Sequence, residues 1–287
     1  MSPVAEPEVV HQLDRPGGSI AYDVSGSGPL VVCVPGMGDL RTVYRYLRAD
    51  LVAAGYRVAV MDLRGHGASS VGFDQYDDVA TAGDVAALIA HLGGPAVVVG
   101  NSMAAGSAVI AAAEQPELVS GLVLVGPFVR NPAISGVTQA MFRVLMAPFW
   151  ARAAWTAYLP KLYAGRRPAD FDEHRAAIKA ALGRPGYAKA FSLTTRTTHA
   201  PAESALGGVR SPALVVMGEL DPDFKDPGAE AAWIGEQLHG EVVVVPECGH
   251  YPQAQQPEAV SAAVIAFLGT VGTNGTHGDV GNGPHGA

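Results

Sequence analysis

The stretch Ala96-Val97-Val98-Val99-Gly100-Asn101-Ser102-Met103-Ala104 decides the reading of this chain. Residues 96–100 form a short β-branched run without a polar face, the pattern of a strand buried on both sides in a parallel sheet. Residues 103–115 are Ala-rich and stop before Pro116, the pattern of a helix. Ser102 therefore stands at the joint between a buried strand and a helix. A serine hydroxyl is a poor nucleophile until a base takes its proton. A sharp strand-to-helix turn exposes that hydroxyl at the sheet edge and needs small residues two positions either side, which Gly100 and Ala104 supply. The helix start behind it favours developing negative charge. A serine that merely begins a helix is the competing reading, and the rest of the chain decides between the two.

Working outward, VVHQLD (9–14) and SIAYDV (19–24) flank Arg15-Pro16-Gly17-Gly18 and read as a hairpin with a Gly-rich turn. LVVCV (30–34), RVAVMD (57–62), GLVLVG (121–126), ALVVMG (213–218) and EVVVVP (241–246) read as further strands. Helices are expected at 41–54, 78–92, 228–239 and 257–268. Strands alternating with helices imply βαβ units, hence an α/β fold with a mostly parallel eight-stranded sheet flanked by helices. Residues 129–208 break this rhythm. Met141, Phe142, Leu145, Met146, Phe149 and Trp150 recur at helical spacing, and Trp155, Tyr158, Leu162 and Tyr163 continue it. Further helices are expected near 170–182 and 185–198. The expected organisation is a core of residues 1–128 and 209–269, a helical cap or lid of residues 129–208 inserted after strand six, and a disordered Gly-rich tail of residues 270–287. Residues 1–8 read as loose chain.

The 287 residues carry a net charge of −8, which argues against nucleic acid as a partner. No apolar run is long enough to span a bilayer. The start, MSPVAEPEVV, lacks the basic and apolar regions of a secretory signal. Cys33 and Cys248 form no disulfide framework and no metal-ligand spacing, so they read as buried space-fillers in a cytoplasmic protein. His277 and His285 read as solvated tail residues. With no metal cluster, dinucleotide fingerprint or P-loop, no cofactor is implied. The lid segment holds eleven Arg or Lys against four Asp or Glu, while the remainder is strongly acidic. That asymmetry reads first as a solvated basic surface, and second as an attraction for an anionic substrate group.

With Gly100-Asn101-Ser102-Met103-Ala104 as its motif, the chain resembles the α/β-hydrolase fold over about residues 9–268. The family pattern is G-x-S-x-G, with Ala104 here in the last position. The resemblance implies Ser102 as nucleophile. It implies His250, in Gly249-His250-Tyr251-Pro252 after the last strand, as base. It places the acid in Met217-Gly218-Glu219-Leu220-Asp221-Pro222-Asp223, where Asp221 matches best and Asp223 and Glu219 compete. The order Ser102, Asp221, His250 is the order of this fold. Gly126-Pro127-Phe128 offers no acid at the alternative place. The oxyanion donors implied are the backbone N–H groups of Met103 and of Met37, the latter in Val34-Pro35-Gly36-Met37-Gly38, where Pro35 replaces the family's usual histidine. Asp62-Leu63-Arg64-Gly65-His66-Gly67-Ala68-Ser69 is also family-like and reads as a turn closing a loop, not as a second His66–Ser69 dyad.

The expected activity is hydrolysis of a small carboxylic ester or lactone through an acyl-enzyme, acting on a small molecule without a cofactor. Met141, Leu145, Phe149, Trp150, Trp155 and Tyr251 are the candidate substrate-binding residues, with lid packing as the competing reading. Gly-Asn-Ser-Met and the later Leu-Val-Gly-Pro are also similar to hydrolases that cleave C–C bonds of aromatic ring-fission products. Those carry Ser-Gly-Pro-Gly in the oxyanion loop and a tryptophan after the histidine, where this chain has Pro-Gly-Met-Gly and Tyr251. Acyl transfer, perhydrolysis and a ligand-receptor role use the same framework. Dehalogenases and epoxide hydrolases need an aspartate in place of Ser102.

Overall fold

The computed structural model describes residues 9–132 and 135–274, with side chains through Val271. Residues 1–8 and 275–287, with His277 and His285, lie outside the described residues. β1 (His11–Arg15) and β2 (Gly18–Ser25) form the hairpin. Arg15 pairs with Gly18, so Arg15 belongs to the strand and the turn narrows to Pro16-Gly17, with Gly17 at φ 92°. β3 (Leu30–Val34) leads through a 3₁₀ turn at Arg41–Tyr44 into α1 (Arg45–Ala53). β4 (Arg57–Met61), α2 (Asp78–Leu92), β5 (Ala96–Asn101), α3 (Met103–Glu114) and β6 (Val119–Val125) follow. Between β6 and β7 lie α4 (Gly136–Leu145), α5 (Pro148–Leu162), α6 (Phe171–Leu182), α7 (Tyr187–Thr194) and α8 (Ala200–Ala205). β7 (Ala213–Gly218), α9 (Pro227–Leu238), β8 (Glu241–Val245), α10 (Pro252–Gln255) and α11 (Pro257–Asn274) close the order.

The strands form one eight-stranded sheet in the order β1-β2-β4-β3-β5-β6-β7-β8, parallel from β4 to β8. Both sheet faces are buried, which is why the central strands lack a polar side. Leu30, Val32 and Val34 of β3 pack with Val98, Leu122 and α3 on one face. Val31, Cys33, Val97, Val99 and Val123 pack with α1 and α11 on the other. The second core continues into the segment between β6 and β7 through Met146, Trp155, Leu159, Leu162, Phe171 and Phe191. No helix among the described residues is long and apolar enough to cross a membrane.

Some elements differ from the sequence expectation: the helix expected at 41–54 opens as a 3₁₀ turn, and the short α8 and α10 are additional. α11 runs to Asn274, so residues 270–274, expected in the tail, are helical. Val271 lies against Gly121 of β6, and Thr270 donates to the Phe267 carbonyl, contacts that extend the helix through its glycines. α8 was not anticipated; Ala202 fits against Gly106 of α3, a packing contact that a six-residue segment does not signal in sequence.

Candidate active site

Ser102 is the single residue between β5 and α3, at φ 58° and ψ −126°. Such a backbone costs a non-glycine residue about 1–3 kcal/mol and persists only when its surroundings fix it. Here the Ser102 N–H donates to the Val125 carbonyl (2.9 Å), and its own carbonyl accepts from Ala105 (3.0 Å) and Phe128 (3.2 Å). A Cβ on Gly100 would come within 2.5 Å of the Ala104 carbonyl, and one on Gly36 within 2.7 Å of Ser102 Cβ. The turn thus needs a bare residue at Gly100, whereas Ala104 seats its methyl in the core beneath α3.

The loops after β7 and β8 bring Asp221 and His250 together. His250 Nδ1 donates to Asp221 Oδ2 at 2.7 Å, with both side chains buried. Gly126 makes room for them, since a Cβ there would sit 3.2 Å from His250 Nδ1 and 3.4 Å from Asp221 Oδ2. The His250 N–H donates to the Leu162 carbonyl at the end of α5 (2.8 Å), and its carbonyl accepts from Asn101 Nδ2 (3.3 Å). Asp223 Oδ2 lies 3.8 Å from the same Nδ1, while Asp223 Oδ1 accepts from Tyr158 of α5 at 2.7 Å. Glu219 turns away and accepts from the Glu247 N–H. Burial lowers the His250 pKa, but the charge and hydrogen bond of Asp221, with Asp223 and Asp39 behind them, push it up to about 9. Burial raises Asp223 above the ordinary carboxyl range, against the opposing pull of His250. Asp221, Asp223 and His250 are close enough to share a cation. A cation between Nδ1 and Oδ2 would have to break the 2.7 Å hydrogen bond, so the trio fits an oriented imidazole better than a metal site.

Met37 and Met103 are the residues expected to offer oxyanion donors. Met103 opens α3, where first-turn N–H groups lack helical partners. Neither amide is engaged in a hydrogen bond among the described residues. The support missing at Pro35 comes from two residues distant in sequence. The Gly38 N–H donates to His66 Nε2 at 2.9 Å, and the Gly38 carbonyl accepts from Trp155 Nε1 at 2.8 Å. His66 Nδ1 in turn donates to the Arg64 carbonyl, a neutral tautomer that matches the burial-lowered pKa of this ring. The turn around His66 and Ser69 is therefore also the prop of the Met37 loop.

Ser102, His250, Met37 and Phe128 open on a cavity of about 490 Å³, without a hydrogen bond between Ser102 and His250. That contact is commonly loose before a substrate aligns it. Trp155 and Tyr251, both expected at the substrate, line this cavity. Met141, Leu145, Phe149 and Trp150 do not; they are 59, 48, 77 and 54% exposed. Helical spacing marks a face without saying what it meets, and in α4 the residues on the cavity are Thr138, Gln139, Phe142 and Arg143. The rest of the wall from the segment between β6 and β7 includes Asn131, Pro132, Tyr158 and the strip Thr195 to His199. His199 was passed over in the sequence because its partner is distant: its Nδ1 lies 2.7 Å from Asp78 Oδ2 in α2. Phe128 touches both imidazoles, at 5.4 Å from the His199 ring and 5.9 Å from His250.

Residues 31–263 match the sequence model of the alpha/beta hydrolase family. A 2-(acetamidomethylene)succinate hydrolase from Mesorhizobium japonicum is 31% identical over 253 residues, spanning 85% of this chain and 89% of its own. A 2-hydroxy-6-oxo-6-phenylhexa-2,4-dienoate hydrolase from Burkholderia cepacia is 26% identical over 276 residues, or 90% and 91% of the two chains. A thermophilic esterase from Thermogutta terrifontis superposes with a TM-score of 0.72 at 26% identity, covering 92% of this chain and 99% of that one.

Proposed function

The chain belongs to the alpha/beta hydrolase family, and from that premise we propose that it hydrolyses small carboxylic esters or lactones through an acyl-enzyme on Ser102. The observation that carries this reading is the buried 2.7 Å Asp221–His250 hydrogen bond, held on the cavity that Ser102 lines. Nδ1 is occupied by Asp221, so Nε2 is the ring atom left to act as base. As Ser102 Oγ attacks the carbonyl carbon, its proton passes to Nε2 and the carbonyl oxygen becomes an oxyanion. The N–H groups of Met37 and Met103 stabilise that charge, and one such donor is worth about 10²–10³ in kcat. The alcohol leaves with the proton from Nε2. Water then attacks the acyl-enzyme, gives its proton to the same nitrogen and releases the acid, restoring Ser102. We take residues 129–208 as the cap and, on two buried free thiols, the cytoplasm as the compartment.

A second reading, C–C bond hydrolysis, is favoured by the name of the Burkholderia cepacia relative and uses the same residues. The test is turnover of p-nitrophenyl esters of rising chain length, with Ser102→Ala as control. Turnover that vanishes in Ser102→Ala supports the ester reading; equal rates in both proteins refute Ser102 as nucleophile. Consumption of a phenylhexadienoate ring-fission product, with no ester turnover, selects the second reading. A single slow turnover with either class would point to a ligand receptor.

A further inference from the structure

Part of the basic excess of residues 129–208 is committed to internal contacts. Arg130 pairs with Glu230, Arg166 with Gln256, and Arg175 and Arg184 donate to the carbonyls of Thr156 and Gly67. Arg143 of α4 and Arg196 after α7 are different. Both line the cavity that holds Ser102, and among the described residues neither has a hydrogen-bond or ion-pair partner. The one carboxylate in the lining, Asp223, is bonded to Tyr158 and faces His250. Two guanidinium groups, both open to solvent, thus stand on the lining of one cavity without an ion-pair partner among the described residues, and a guanidinium fork matches a carboxylate in bidentate geometry.

The wall that carries Arg196 is built to hold its shape. Thr197 Oγ1 donates to Asp78 Oδ1 at 3.0 Å, and His199 is tied to the other oxygen of the same carboxylate. The His199 N–H and the Thr198 hydroxyl both donate to Asn131 Oδ1, at 2.8 and 3.3 Å. His199 belongs to the same lining. A wall with a fixed backbone that carries cations recognises an anion at low ordering cost.

We propose that the substrate of this site carries a second group, a carboxylate, held by Arg143 and Arg196 while its ester carbonyl meets Ser102. The substrate class is then the monoester of a short dicarboxylic acid. This rests on the hydrolase reading for the role of Ser102, but binding of the anion can be measured without turnover. The probes are monomethyl glutarate and its uncharged counterpart methyl valerate, titrated into Ser102→Ala protein by calorimetry. The anionic ester is expected to bind at least about tenfold more tightly, a preference that shrinks in 0.5 M salt as surface charge is screened. In Ser102→Ala/Arg143→Gln/Arg196→Gln the ratio of affinities is expected to fall to about one. Equal affinities, undetectable binding of the anionic ester, or a preference that survives loss of both arginines would overturn the proposal. Fluorophosphonate labelling of the wild-type protein reads the nucleophile separately. Labelling at Ser102 without anion preference sinks this inference alone, and anion preference without labelling upholds it while removing Ser102 as nucleophile.

Discussion

α4 and α5 are consecutive helices between β6 and β7, both rich in large apolar side chains, yet they live in different surroundings. α5 buries Ala151, Trp155, Leu159 and Leu162 in the core that also contains β3, β5 and β7. It bonds to Gly38 through Trp155, to Asp223 through Tyr158, and to His250 through the Leu162 carbonyl. α4 buries no residue, and Val137, Met141, Val144 and Leu145 form its outward stripe. The difference separates two duties. α5 is a structural member of the candidate site, touching the Met37–Gly38 loop, the Asp221–Asp223 loop and His250. α4 is a wall of the cavity, contributing Phe142 and Arg143 to its lining.

The sharpest way to break this comparison is to truncate one side chain in each helix. Leu159→Ala is expected to cost about 2–5 kcal/mol of stability, since it opens a cavity in a packed core. Val144→Ala serves as its counterpart at the other end of the scale. Next in size is Gly38→Ala. At φ 73° a Cβ would stand 2.3 Å from Trp155 Nε1, so the Met37 amide must move. Loss of that donor is expected to lower kcat by about 10²–10³, or roughly 2.7–4 kcal/mol, with the Asp221–His250 pair unaffected in a pH profile.

A smaller effect tests the link from α5 to the acid loop. Since His250 is pushed up to about 9, kcat/KM is expected to rise with pH through a midpoint above that of an ordinary histidine. Asp223→Asn removes one of the charges responsible, so the midpoint moves to lower pH and activity at pH 7 rises, by no more than about tenfold for one unit. An unmoved midpoint would show Asp223 to be a tether for Tyr158 only. The raised pKa also has a stability signature. The Asp221–His250 attraction is fully present below pH 6.5 and declines as pH climbs through about 9. The melting temperature is expected to fall over that interval in the wild type and to stay flat in His250→Gln. The smallest effect closes the series: Val144→Ala on α4 is expected to change stability by less than about 0.5 kcal/mol, read from the same denaturation curves as Leu159→Ala.

What was legible in the sequence is local in the chain or fixed by strand order. Val97 to Val99 announce a strand covered on both faces because no polar residue interrupts them, and Ser102 follows at its carboxyl end. Asp221 and His250 each follow a later strand, where the resemblance expects an acid and a base, and the structure brings the two side chains together. Contacts between distant segments were hidden. Gly38 and His66 are 28 residues apart, Gly38 and Trp155 117, and Asp78 and His199 121. Neither spacing nor composition links such residues. The outward residues of α4 and of the first turn of α5 have the periodicity of a buried face, so the spacing alone points Met141, Leu145, Phe149 and Trp150 to a pocket that they do not line. The glycines around α11 suggested a tail, and only Val271 against Gly121 explains why the helix continues.

The core shared by the sheet and α5 to α7 bears on how the molecule comes apart. Trp155, Leu159 and Phe191 stand in the same apolar cluster as Val31 and Val99, so the helices between β6 and β7 are expected to unfold together with the sheet they pack on. Heating is therefore expected to give one calorimetric transition, with calorimetric and van't Hoff enthalpies in agreement. Under the proposed mechanism, turnover would then disappear at the temperature where the core loses its order, because α5, which holds Gly38 through Trp155, belongs to the same cooperative unit as β5, which leads into Ser102.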